Sequence, residues 1–269
     1  MAVRKANTTP TRPRGPAVRS AMAAGPNRDD PPPRGRRTQK TSERVALEIV
    51  HDIVARGLST GDRLPLEAEM GAGYGVSRSS LREALRILEV QGLVHIKPGP
   101  GGGPVVGSVE AAHLAKTATL YFHLAGATYD DLLRTQIVLE PQVAQLAAQS
   151  RRARTAMKPY ASSSPPQGEV EYRADTVGFH DAVYALVDNP VLSLLTKAIT
   201  HTVSEHVVAT MDPVALRPAI LAEHAALAKA IGAGQATKAE RLMTEHFEAQ
   251  HAHYRKHAPA RLRDLIEWR

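Results

Sequence analysis

The chain has 269 residues, no cysteine and a formal net charge of +7 at pH 7. The missing cysteines exclude a disulfide framework and a thiolate metal site. No apolar run approaches the roughly 18 residues of a membrane span and the N-terminus offers no signal-peptide core, so the expected location is cytoplasmic, with no membrane partner.

The positive charge is unevenly placed. Residues 1–40 hold ten Lys/Arg against two acids, a net of +8, so everything after Lys40 sums to −1. The stretch is rich in Pro, Gly, Arg and Thr, with too few large apolar side chains to offset ordering entropy by burial. It reads as a disordered basic tail that adds salt-sensitive attraction to DNA, or as a solvated extension without a role. The rest accommodates a domain of roughly 70 residues, 41–107, and one of about 150, 111–257.

Within 41–107 the turn Gly61-Asp62-Arg63-Leu64-Pro65 precedes a short helix, Leu66 to about Ala72, with Pro65 where a first turn tolerates it. Gly71, Gly73 and Gly75 around Tyr74 allow a sharp reversal. Ser77 is an N-cap candidate for a second helix, in which Leu81, Leu85 and Leu88 fall at i, i+4 and i+7 and pack inward. Arg78, Ser79, Arg82 and Arg86 then face outward. The first turn, Arg78-Ser79-Ser80, carries free backbone N–H groups that favour phosphate, and arginine there can fork onto guanine. On an isolated helix such arginines would be an ordinary solvated face. Here Gly92–Lys97 follows, alternating like an edge strand, with Val105-Val106 returning antiparallel and Lys97 through Gly103 forming the tip between them. Helix, turn, helix and basic glycine ribbon in this order make a winged helix-turn-helix.

The stretch from Ser42 to Val106 resembles the GntR family of bacterial transcription regulators, whose pattern runs Gly-Asp-x-Leu-Pro-Ser-Glu, Val-Ser-Arg-x-x-Val-Arg-Glu-Ala-Leu, then Gly-Leu-Val and a glycine-rich wing. The resemblance implies that Arg78, Ser79, Ser80 and Arg82 contact double-stranded operator DNA and that Gly99, beside Lys97 in the wing, approaches the minor groove. Members often carry arginine where this chain has Ala68, which removes one expected contact.

From Glu110 onward the pattern is helical. Ala111–Leu124, Asp130–Arg152, Val170–Val187, Val191–Met211, Pro213–Ile231 and Ala236–Lys256 each place apolar residues at three- and four-residue spacing. Breakers separate them, and the joint 153–168 reads as long and flexible. The fold class is therefore mainly α: a winged helix-turn-helix with a small β-wing, followed by an antiparallel all-α bundle of about six helices.

His180, His224 and His246 lie on three different predicted helices, and His224 and His246 flank the Gly232–Gly234 turn at comparable distances. Neutral imidazoles converging in a bundle suit zinc, nickel, manganese or iron. Any one of the twelve histidines can equally be a hydrogen-bonded surface or core residue.

The bundle resembles the FCD ligand-binding domain of the FadR-type subgroup of GntR regulators through Leu139-Glu140-Pro141, Phe179-His180, Asn189-Pro190, Glu223-His224 and Met243-x-x-His246. The resemblance implies a metal held by His180, His224 and His246 beside a carboxylic acid effector. The family's aspartate, four residues before His180, is Thr176 here, with Asp175 one residue away as the substitute. The family's effector arginine is Gln136, with Arg134 two residues away. Arg173 and Lys197 are other cations for such a ligand, and an apolar or acyl ligand without metal is the alternative. The resemblance also implies a homodimer, matched to a short palindromic operator by two-fold symmetry. A metal-dependent enzyme built on the three histidines and an effector-blind DNA-binding protein are the rival readings.

Overall fold

The computed structural model describes residues 34–99, 101–162, 168–209 and 214–268. Most of the expected basic tail, residues 1–33, lies outside the described residues. Helix α1 spans Arg34–Ala55, so residues 34–40 are helical rather than tail. Its Val45, Ala46 and Ile49 are buried in the N-terminal core. That helix was not foreseen from the sequence.

Helix α2 (Glu67–Gly73) follows the Gly-Asp-Arg-Leu-Pro turn. It starts two residues after Pro65, and Glu69 accepts the Leu66 N–H at 3.2 Å. Gly75, with φ 63°, turns the chain into α3 (Arg78–Val90). Ser77 caps α3 as its spacing predicts, accepting the Ser80 N–H at 3.2 Å. Leu81, Ala84, Leu85 and Leu88 are buried against α1, and each leucine contributes about 1.5–3 kcal/mol by leaving water.

The wing consists of β1 (Val94–Lys97) and β2 (Gly103–Val106), paired antiparallel with Val94 opposite Val106 and Lys97 opposite Gly103. Residues 61–64 line the other edge of β2. Gly61 N–H donates to Val106 O at 2.8 Å, Val106 N–H to Asp62 O at 2.9 Å and Leu64 N–H to Pro104 O at 3.0 Å. The Gly-Asp-Arg-Leu segment is therefore not only a turn; its backbone completes the wing.

Six long helices make the second domain: α4 (Ala111–Leu124), α5 (Tyr129–Ala148), α7 (Glu169–Tyr184), α8 (Pro190–Val203), α9 (Arg217–Gly232) and α10 (Ala236–His257). Helix α5 begins in a reciprocal cap, Thr128 Oγ1 with the Asp131 N–H at 3.3 Å and Asp131 Oδ2 with the Thr128 N–H at 2.9 Å. It runs through the centre of the bundle. Ala144 and Ala147 on α5 and Ala228 and Ala239 from α9 and α10 let backbones approach closely around Val143, Phe179, Leu227 and Met243.

Two segments depart from expectation. The first half of the 153–168 joint is ordered: α6 (Ala153–Met157) buries Ala153 and Met157 at i, i+4 against α9, and a 3₁₀ turn continues to Tyr160. Residues 163–167 lie outside the description. Helix α8 gives way at Ser204–Val208 to a turn of π-helix. Short helix α11 (Pro259–Leu262) and the residues after it fold back on the start of α5, burying Leu262 and Ile266 beside Tyr129.

Candidate nucleic-acid interface and metal centre

Helix α3 presents Arg78, Ser79, Arg82 and Arg86 to solvent. Arg82 Nε donates to Glu67 Oε2 at 2.9 Å, yet its side chain is 72% exposed, so the outer N–H groups of the fork remain presented. This pair ties the outward face of α3 to α2. Ser80 differs from its neighbours: it is buried, its hydroxyl 3.0 Å from Ser77 Oγ. At i+3 from Ser77 it closes the helix cap and points inward. Lys97 is exposed at the end of β1. Gly99 takes φ 94° and accepts the Gly102 N–H at 2.9 Å, a conformation that favours glycine and gives the wing a narrow tip.

At the bundle centre α7, α9 and α10 bring His180, His224 and His246 together, 7%, 4% and 1% exposed. One nitrogen from each lies within 4.8 Å of the others, and His224 Nε2 is 3.4 Å from His246 Nε2. Phe179 stacks on His224 with ring centroids 4.2 Å apart. His246 Nδ1 is 2.6 Å from Glu223 Oε2, an acceptor that fixes the proton on Nδ1. The Nε2 lone pair is thereby turned toward the cluster, where it accepts from Gln250 Nε2 at 2.7 Å.

Burial, reinforced by neighbouring imidazoles, holds His180 and His224 neutral: the His180 pKa falls to about 3 and that of His224 well below the usual range. Neutral imidazole is the ligating form. Three converging imidazole donors fit a divalent cation. They would hold it without an anionic ligand, because Thr176 stands where the resemblance puts aspartate. Thr176 Oγ1 is buried with no hydrogen-bond partner among the described residues. Asp175 does not substitute for it: about 100° around the helix, it is exposed, and it belongs to no metal-capable group among the described residues.

A cavity of about 420 Å³ opens beside the histidines, lined by Gln136, Thr176, His180, Tyr184, Lys197 and His246 among others. Gln136 is buried and donates to Thr200 Oγ1 at 3.1 Å. Arg134 lies elsewhere, 65% exposed and paired with Asp130 at 2.7 Å; two residues along a helix is some 200° of rotation. Arg173 and Lys197 both reach the cavity wall, the former paired with Glu169 at 3.0 Å and the latter with Asp181 at 2.8 Å.

Sequence reasoning missed Glu140. It is fully buried, and its Oε1 accepts from Tyr184 OH at 2.5 Å and Thr200 Oγ1 at 2.6 Å. Burial pushes its pKa up to about 7 against the pull of those two hydroxyls. Its place in Leu139-Glu140-Pro141 was the available signal.

Two family models match the chain: bacterial regulatory proteins of the gntR family over residues 41–102, and the FCD domain over 131–249. The Uxu operon regulator of Haemophilus influenzae is 30% identical over 165 residues, 60% of this chain and 59% of that protein. The HTH-type transcriptional regulator LutR of Bacillus subtilis is 28% identical over 200 residues, 70% of this chain and 90% of that one. The chain thus spans less than two thirds of the former and most of the latter. Among solved structures, Streptococcus agalactiae GntR shares the fold with a TM-score of 0.59 at 20% identity, covering 79% of this chain and 99% of that one.

Proposed function

Because the chain belongs to the GntR family of bacterial regulatory proteins and carries an FCD domain, we propose that it is a homodimeric transcription regulator. In this reading it binds a short palindromic operator and senses a small organic acid beside a divalent ion. The observation that carries the reading is one chain holding both an exposed arginine face on a capped helix and a cavity that opens beside a cluster of three buried histidines, two of which line it. Its domains and relatives are those of transcription regulators rather than enzymes. The histidine-lined cavity favours a sensor over an effector-blind DNA binder.

Arg78, Ser79 and Arg82 would read or clamp the duplex, and Lys97 and Gly99 would lie along the adjacent groove. His180, His224 and His246 would hold the ion, which supplies an electrophilic anchor for a ligand oxygen in the cavity. Gln136 and Lys197 would then orient that ligand, the lysine favouring an anion. The effector can shift operator affinity only by its difference in affinity for the two arrangements of the readers.

The test is fluorescence anisotropy with duplexes from the region upstream of the protein's own gene, with and without zinc and a panel of small carboxylic acids. A specific site should bind at least 10³-fold tighter than a scrambled duplex at physiological salt, with two chains per duplex, and one class of acid should change that affinity. Equal binding to all sequences would remove the reading.

A further inference from the structure

Among the described residues the histidine cluster has no carboxylate in direct reach of a shared ion, yet two carboxylates stand directly behind its rings. Glu223 Oε2 lies 2.6 Å from His246 Nδ1. Glu140 Oε2 lies 4.0 Å from His180 Nδ1. In the second pair both atoms are buried and neither has a hydrogen-bond partner among the described residues, while Glu140 Oε1 is saturated by Tyr184 and Thr200. A buried polar atom left unpaired costs about 1–3 kcal/mol. Here an orphaned ring nitrogen faces an orphaned oxygen roughly 1 Å beyond hydrogen-bond distance, a gap that a small side-chain rotation closes.

We propose that Glu140 and Glu223 are the positioning carboxylates of the cluster. Each takes the Nδ1–H of its histidine, so that His180 and His246 offer Nε2 to a shared divalent cation together with His224. The negative charge missing at Thr176 is then supplied from behind the rings. The proposal rests on the metal reading above. A carboxylate on Nδ1 fixes the tautomer, orients the ring and raises the basicity of the ligating nitrogen. Each pair also joins two elements: Glu140 on α5 serves His180 on α7, and Glu223 on α9 serves His246 on α10. Among the described residues His224 has no such carboxylate, and it stacks on Phe179.

The full-length chain is stripped of metal and titrated with zinc against a chromophoric chelator, and with cobalt(II) followed by its visible bands. Wild type is compared with Glu140→Gln, Glu223→Gln and Glu223→Asp. One ion per chain is expected in wild type. Both glutamine variants should bind zinc 10- to 100-fold more weakly with altered cobalt bands, and Glu223→Asp should recover part of the loss. The metal-free melting temperature of Glu223→Gln should match wild type, since that side chain is 37% exposed and the amide oxygen of glutamine can still accept the His246 N–H. Should Glu140→Gln unfold, histidine ¹⁵N shifts of zinc-loaded wild type still decide the matter: His180 and His246 should carry the proton on Nδ1 and the metal on Nε2. Ligation through Nδ1, or unchanged zinc affinity and cobalt spectra in the glutamine variants, overturns the proposal and leaves the metal reading standing. No ion in wild type overturns both.

Discussion

The imidazole of His113, in the first turn of α4, lies against Gly92 so closely that a β-carbon on that glycine would fall 2.2 Å from the ring. Gly92 lies in the short connection between α3 and β1, with φ 72°. The bundle's first helix thus touches the winged helix-turn-helix at the point where α3 gives way to β1.

Gly92→Ala should therefore cost about 1–2 kcal/mol for the left-handed backbone plus about 1–3 kcal/mol for overpacking against the ring. In a His113→Ala background only the first part should remain. Chemical denaturation of the four proteins in the cycle measures this, and equal costs in both backgrounds would mean that the contact carries no energy.

On the reader, Arg78→Ala and Arg82→Ala should each weaken specific operator binding by about 1–3 kcal/mol without unfolding the domain. Ser80→Ala should leave the intrinsic DNA contacts intact and lower stability modestly, because its hydroxyl is bonded to Ser77. Anisotropy and thermal melts on the same samples separate the two effects. A Ser80→Ala loss as large as that of Arg78→Ala, at unchanged stability, would place the serine on the DNA after all.

Removing the ion should lower stability. An ion that binds only the folded chain adds about 2.7 kcal/mol at a hundred times its Kd, so a strong chelator should depress the melting temperature of wild type. His246→Ala should abolish that chelator response. Persistence of the response in the variant would put the ion elsewhere.

The metal-free chain should lose stability as pH falls below about 6.5. His180 has a folded pKa near 3 against about 6.5 unfolded, and His224 is shifted the same way. Between those values the unfolded chain binds protons that the folded chain refuses, which destabilises the fold by up to about 1.4 kcal/mol per pH unit for each ring. Glu140 acts in the opposite sense. Its folded pKa near 7 exceeds the unfolded value of about 4.3, so between those pH values the folded chain holds the extra proton. Glu140→Gln should consequently steepen the acid loss between pH 4.5 and 6.5. Denaturant midpoints from pH 4.5 to 7.5 in both proteins decide it; parallel curves would mean that Glu140 is not protonated in the fold.

Much of this architecture was legible because local signals agreed. Ser77, the leucine stripe of α3 and the glycine ribbon each carried their own chemistry, and Pro and Gly breakers bounded the six long helices. Helix α1 was not legible: the apolar face of Val45, Ala46 and Ile49 follows directly on a basic, Pro-rich composition that masks its start. The cavity wall was harder still. Thr176 and Asp175 are adjacent in sequence and Gln136 lies two positions from Arg134, and only the packed helices decide which of each pair turns inward. Glu140 acquires its character from burial by the packed helices, and its hydrogen-bond partners Tyr184 and Thr200 lie 44 and 60 positions away along the chain.

Hydrogen bonds on both edges of β2 bear on how mechanical load passes between the two halves of the chain. Residues 107–110 leave β2 for α4, and Gly107 is itself pinned by its N–H to Leu93 O at 2.9 Å and by Thr60 Oγ1 to its carbonyl at 3.2 Å. A pull from α4 therefore acts along a strand gripped by β1 on one side and residues 61–64 on the other. Such a strand resists in shear, with several bonds strained together, rather than unzipping one bond at a time. Tension from the bundle would drag the wing, the α1–α2 connection and the base of α3 as a single body, so an operator would feel a change of angle or spacing long before it felt the reader come apart.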